Sequence, residues 1–412
     1  MALYVAEQRE SLLFFDYRID APLGIPAGRV DTEVHSFHIE QLVSDLDPLP
    51  FSFALLPEGG YLVTEKIRGL SRIGPNGSRT LISDTPRAWD AGFEMPIVKV
   101  EHGHGWMFEV ATHPDYDANG WIYPHYADRC PDCNALALET GEDVSMNRLD
   151  RGRIEGDRWV DGETIWQAEP DTYTAASDLG AGSQVAFDDQ GHIYFSVGLK
   201  GAHNHDGIQD LDQPYGKVHR VRDDGGIPAD NPFLTGAHEA GRATVWTYGH
   251  RVVQGLEWAP STQLLWSTEM GPRGGDEINV LRPGGNHGWP LVSLGLDYDG
   301  TPVEYGIELG IDPGTLTLVA PVVDLTPSPA VSSFIIYDGD AFPEWRGSTI
   351  VGTLKATDLE RFVFDGTQLI ARERLLDGIG RVRDIEVDAL GQIHLLIEHR
   401  EGSRILRLAP AD

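Results

Sequence analysis

The sequence predicts an all-β chain folded as a six-bladed β-propeller with long inter-strand loops. Three observations carry this expectation. A two-strand unit recurs six times, glycine and proline are abundant at 47 and 26 of 412 residues, and no long amphipathic helical period interrupts the short apolar runs. Each unit reads as an apolar strand, a turn with Gly and Asp or Pro, and a second apolar strand. A single meander of this kind cannot bury both faces, and radial repetition of such sheets resolves the problem. The propeller is expected over residues 51–412, with residues 1–50 as an arm, broken by Pro and Gly, that packs on it.

Taken in order, the units are FSFALLPEGGYLVTEKIRGLSRI from Phe51, FEVATHPDYDANGWIYPHY from Phe108 and QVAFDDQGHIYFSVG from Gln184. They continue as GLEWAPSTQLLWSTEM from Gly255, SFIIYDGDAFPEWRGSTIVGTL from Ser333 and VRDIEVDALGQIHLLIE from Val382. Their uneven spacing implies insertions, chiefly Asp128 to Asn147 in the second unit and Leu199 to Tyr215 in the third. In a propeller the loops of all blades converge at a mouth of the central channel. Residues as distant as His104, Arg251, Lys355 and Arg381 can therefore meet there.

A formal net charge of −32 argues against nucleic acid or an anionic membrane as partner, because the field repels phosphate. It equally sets off any cluster of retained cations. No apolar run approaches the roughly 20 residues that span a bilayer, and MALYVAEQRE lacks a signal-peptide core. The expected compartment is periplasmic or extracellular if a leader has been removed, and cytoplasmic otherwise. Cys130 and Cys133 form a lone CxxC, too few ligands for structural zinc, with no thioredoxin-like βαβ pattern around it. A loop disulfide or a pair of inert thiols is the expectation.

The segment Val245 to Pro290 gathers the chemistry. Its strand-like runs are separated by loops holding His250-Arg251 and Gly271-Pro272-Arg273-Gly274-Gly275-Asp276-Glu277. Rigid strands with charged groups on their connections are typical of a site, and a cation beside a carboxylate-rich turn suits an anionic ligand together with a metal ion. The competing reading is scaffolding, in which Asp276 and Glu277 tie down a tight turn. His113 reads as a turn residue, and His219 and His394 as packed strand residues.

HPDY at His113, GHR at Gly249, QGL at Gln254, GPRGGDEIN at Gly271, LK at Leu354 and GRVRD at Gly380 occur in this order. With these motifs the chain resembles the soluble quinoprotein sugar dehydrogenases, the glucose/sorbosone dehydrogenase family of calcium-containing six-bladed propellers, from about Phe53 to Leu408. The resemblance implies a pyrroloquinoline quinone (PQQ) pocket on the channel axis beside calcium, and oxidation of a sugar or sugar-like alcohol. Lys355, Arg381 and Arg383 match the cations that neutralise the quinone's carboxylates, a task suited to charge-assisted bonds. Arg251 matches the arginine that polarises the quinone carbonyl, and Thr326 a cofactor-contacting threonine. Gly271 and Pro272 match the backbone carbonyls that take calcium, a hard ion with oxygen ligands. For the three cations the competing reading is salt bridges to Asp384 or a similar carboxylate.

The same resemblance marks departures. Gly180 stands where the family has its histidine base, Leu199 where it has the orienting aspartate, Val252 where it has an asparagine, Leu325 where it has a pocket tryptophan and His104 where it has a glutamine. Oxidation of a sugar hydroxyl needs a positioned base, worth about 10²- to 10⁴-fold in rate. His203 and His205, in an HxH spacing just after Leu199, are the candidate replacements. His104, His203 and His205 are alternatively a transition-metal site for quinone-independent lyase, hydrolase or isomerase chemistry on a small acidic or sugar-derived substrate. A non-catalytic binding propeller is the third reading.

Overall fold

The computed structural model describes residues 19–411 except 67, 87, 89–91, 95–100, 104–105, 176–177, 202–204 and 235–239, with backbone alone for 92–94, 101–103 and 240. Six antiparallel sheets account for nearly all the described strands. Their first strands, Pro50–Leu55, Met107–Thr112, Gly182–Phe187, Val252–Ala259, Val331–Ile336 and Arg381–Val387, pack one against the next in a closed ring. These are the first strands of the six repeated units, so the expected blade count and order hold.

Local chemistry explains the tight hairpins. In the third blade the Asp188 carboxylate accepts from the backbone N–H groups of Gln190 and His192 at 2.8 and 2.9 Å, and Gly191 takes the left-handed turn position at φ 79°. The sixth blade repeats the device, Asp388 accepting from Leu390 and Gln392 while Gly391 adopts φ 79°. Between blades, apolar faces pack into continuous cores. One gathers Phe37, Phe342, Trp345, Ile350 and Leu395 between the last two blades, with all five at 0% exposure. Full burial of such side chains, about 1.5–3 kcal/mol each, is what holds neighbouring blades together.

The expected arm is in part a blade strand. Ser36–Leu46 pairs antiparallel with the C-terminal strand Ser403–Pro410, from Phe37 opposite Pro410 to Leu46 opposite Ser403. The last blade thus takes its outer strand from the N-terminal segment, closing the ring with backbone hydrogen bonds from both ends of the chain. The propeller therefore begins before residue 51. The first insertion is shorter than expected, because Asp128, Arg129 and Cys130 pair with Met146, Ser145 and Val144 as blade strand, which leaves residues 131–143 to carry the short helix Ala135–Thr140. Cys130 and Cys133 are joined as a disulfide at its base.

Candidate functional site

Register shifts prepare one mouth of the channel. In three inner strands the ladder slips at a single residue near the same end: Phe51 in the first blade, Gln254 in the fourth and Arg383 in the sixth. A bulge re-aims its side chain, and these three meet. Arg383 donates to the Gln254 side-chain oxygen at 3.2 Å, and its guanidinium lies 5.6 Å from the centre of the Phe51 ring.

They line a cavity of about 220 Å³ whose wall also holds Lys66, Trp106, Asp178, Gly180, Leu199, Arg251, Val252, Gly271, Pro272, Tyr298, Lys355 and Arg381. Among the described residues six basic ones line it, Lys66, Arg251, Arg273, Lys355, Arg381 and Arg383, against one acidic residue, Asp178, whose side chain is buried against Lys200. In a chain of net charge −32 that is a concentrated positive field.

The cations are organised by one carboxylate that the sequence motifs did not single out. Glu398, fully buried at the end of the strand Ile393–Glu398, accepts from Arg381 Nε through Oε2 and from Arg383 Nε through Oε1, both at 2.7 Å. Lys66 Nζ stands 3.5 Å from the same Oε1. The arginines and Lys66 hold Glu398 far below the usual carboxylate range despite its burial. Lys66 is pushed down to about 7, first by burial and then by the arginine charges, with Glu398 opposing. The partner of Arg381 and Arg383 is thus not Asp384, which turns away to accept from the Phe53 N–H at 3.0 Å.

Arg251 is held from both sides. Its backbone N–H donates to Glu269, and its guanidinium donates to the carbonyls of Met270 and Gly271 at 3.2 and 3.0 Å and to Tyr298 Oη at 2.8 Å. Glu269 also takes His250 Nδ1 at 2.8 Å, and burial raises it to about 7. Asp276 is a turn residue: it accepts from the N–H groups of Gly271 and Val331 at 3.0 and 2.9 Å and from Ser328. Glu277 accepts from Asn279 at 3.1 Å, and burial raises it to about 8. Gly271 and Pro272 sit on the cavity wall as expected.

The three wall positions that the resemblance reads as departures also meet. A Cβ built on Gly180 would lie 3.4 Å from the Leu199 carbonyl and 3.4 Å from a Val252 methyl. Beside them the buried Asp178 pairs with Lys200, and Ser145 donates to Asp178 at 2.8 Å. Leu325 packs in an inter-blade core.

Other expected residues lie elsewhere. Thr326 is exposed and is not among the cavity-lining residues; its hydroxyl accepts from the Gly275 N–H at 2.8 Å, anchoring the 271–276 turn. His205 packs against Tyr305 at 3.9 Å between ring centres and edge-on to Trp289 at 5.6 Å, and is not among the cavity-lining residues. Trp289 in turn lies 5.4 Å from the Arg251 guanidinium. His104 and His203 fall outside the described residues. Among the described residues no group of three His, Cys, Asp or Glu side chains converges as a metal site. His113, His219 and His394 are structural as read: His113 accepts from the Asp115 N–H, and the other two are buried in blade strands.

Fold and cavity together define a class: a six-bladed propeller whose channel mouth is lined mainly by basic residues among those with charge. The chain matches the family model Glucose / Sorbosone dehydrogenase over residues 48–407 and belongs to that family. It is 30% identical over 379 residues to aldose sugar dehydrogenase YliI of Escherichia coli, covering 90% of this chain and 93% of that protein. To quinoprotein glucose dehydrogenase B of Acinetobacter calcoaceticus it is 28% identical over 312 residues, 71% of this chain and 60% of that protein. Among solved structures, a glucose dehydrogenase superposes with TM-score 0.75 at 29% identity over 91% of this chain and 99% of the other. The apo-form of the soluble aldose sugar dehydrogenase of Escherichia coli gives 0.73 at 27% identity, over 91% of this chain and 100% of that chain.

Proposed function

We propose that this protein is a quinone-dependent sugar dehydrogenase, oxidising an aldose or sugar-like alcohol with PQQ and calcium. One observation carries the reading: Arg251, Lys355, Arg381 and Arg383, from three blades, line a single cavity with a surplus of positive charge. The donor set fits the cofactor. PQQ is a flat tricarboxylate, and the cavity offers cations for its carboxylates and the aromatic residues Phe51, Trp106 and Phe108 in its lining. The carbonyls of Gly271, which also accepts from Arg251, and of Pro272 would be the oxygen ligands this chain offers a calcium ion. When bound, such a quinone accepts the two electrons that leave the substrate carbon.

The chain's own part is to bind and to orient. Lys355, Arg381 and Arg383 hold the carboxylates, and Arg251, braced by Tyr298 and two carbonyls, presents its guanidinium to a quinone oxygen. The reacting hydroxyl needs a proton acceptor. Among the described residues lining the cavity the acidic one is Asp178, and its side chain is fully buried against Lys200 and Ser145, so no described carboxylate of the wall supplies that acceptor.

The reading itself is tested by adding PQQ and calcium to the purified protein and following cofactor absorbance and dye reduction over a panel of aldoses and alcohols. Bound-cofactor absorbance with substrate-dependent dye reduction supports it. No absorbance change, or absorbance without reduction of dye by any substrate, overturns it.

A further inference from the structure

Lys66 is the cation in this cavity that neither the motifs nor the family resemblance assigned. It follows the strand Tyr61–Glu65, is 6% exposed, and lines the cavity alongside Arg381 and Arg383. Its ammonium faces the rings of Phe51 and Trp106 at 5.7 and 5.4 Å, and its carboxylate partner Glu398 stands at 3.5 Å. That carboxylate is already engaged by two arginines at 2.7 Å, so three cations converge on one negative charge. The remaining charged wall groups are Arg251, Arg273 and Lys355, all cationic, and Asp178. Among the described residues nothing else charged lines the wall, so an entering carboxylate meets more basic than acidic residues there.

We propose that Lys66 is a further ligand of the cofactor's carboxylates and that it takes up a proton from solvent as they bind. The proposal rests on the quinone reading of the cavity. The protonation balance follows from the surroundings: without ligand, burial and two arginines press Lys66 toward neutrality, to about 7. Carboxylates entering beside it favour the ammonium and move it back up. Below pH 7 the ammonium is already present and binding is proton-neutral at this residue. Above pH 7 the amine must be protonated on binding, so affinity falls with rising pH by up to about tenfold per unit.

Calorimetry in buffers of different ionisation enthalpy at pH 6 and pH 8 measures this directly, with PQQ as one probe and benzene-1,3,5-tricarboxylate as the other. The expected result is uptake of about one proton at pH 8, little at pH 6, and none at pH 8 in Lys66→Arg, whose charge is permanent and whose affinity stays flat with pH. Lys66→Met is expected to bind both probes more weakly at either pH. If PQQ binds without proton uptake, or Lys66→Arg takes up as much as the parent, the proposal is overturned while the quinone reading stands. Uptake with the tricarboxylate but no binding of PQQ keeps the role of Lys66 as a proton-linked carboxylate ligand and removes the quinone. Binding of neither probe overturns both.

Discussion

Along the inner strand Arg381–Val387 the side chains change from guanidinium at Arg381 and Arg383 to carboxylate at Asp384 and Glu386. Arg383 and Glu386 are only about 10 Å apart along an extended chain. The two ends of the channel differ accordingly. At the cationic mouth, Glu398 draws three cations together and is held fully ionised. Deeper in, Glu109, Glu257, Asp384 and Glu386 lie near one another, and burial raises all four, with repulsion from Asp384 adding to it at Glu109, Glu257 and Glu386. Among the described residues the mouth is lined by more basic than acidic groups, whereas burial favours the protonated form in the deeper set, where Glu109 accepts from Ser52 and Gln184 at 2.9 and 3.1 Å.

The largest effect is expected from breaking the mouth at its one organising carboxylate. Glu398→Gln leaves Arg381, Arg383 and Lys66 buried together, and a loss of about 3–5 kcal/mol in urea unfolding is expected. Added PQQ should restore part of that stability, because it supplies the missing negative charge. The deeper end should respond with the opposite sign. Glu257 is raised from 4.5 to about 8, so the folded protein keeps a proton that the unfolded chain releases near its ordinary value, and stability falls as pH rises between the two. Glu257→Gln is therefore expected to be more stable than the parent at pH 8 by at least about 1 kcal/mol, with the difference vanishing below pH 4.5, as thermal melts across pH would show. The smallest effect separates anchoring from binding. Thr326→Ala removes the acceptor for Gly275, so about 1 kcal/mol of stability goes while PQQ affinity stays within a few-fold.

The blades were legible because each carries its own hairpin: paired apolar runs, with an Asp and a positive-φ Gly at turns such as Asp188 to His192, are local signals. Arg251, Lys355, Arg381 and Arg383 were legible through motif order, and the ring brings them to one cavity. The closing strand Ser36–Leu46 was not. Its outer position leaves most of its side chains partly or fully exposed, so its apolar alternation is weak, and its partner Ser403–Pro410 lies at the other end of the sequence. Glu398 and Lys66 were not legible because each stands at the end of an apolar strand, in LLIE and LVTEK, where a charge reads as an ordinary strand exit. The available signal was that both strands end at the same level of adjacent blades, where the charges must face each other. Thr326 was misplaced for a different reason: its motif matched, but its hydroxyl serves the neighbouring turn.

The central claim, that the mouth is a built anion site completed by a quinone cofactor, is tested most directly by titrating PQQ into the calcium-loaded protein and into Arg383→Ala. The parent is expected to bind one PQQ per chain, with affinity falling steeply as salt rises, and the variant to lose at least about 100-fold, roughly 3 kcal/mol. Binding that Arg383→Ala leaves unchanged, or no binding to the parent at all, would contradict it.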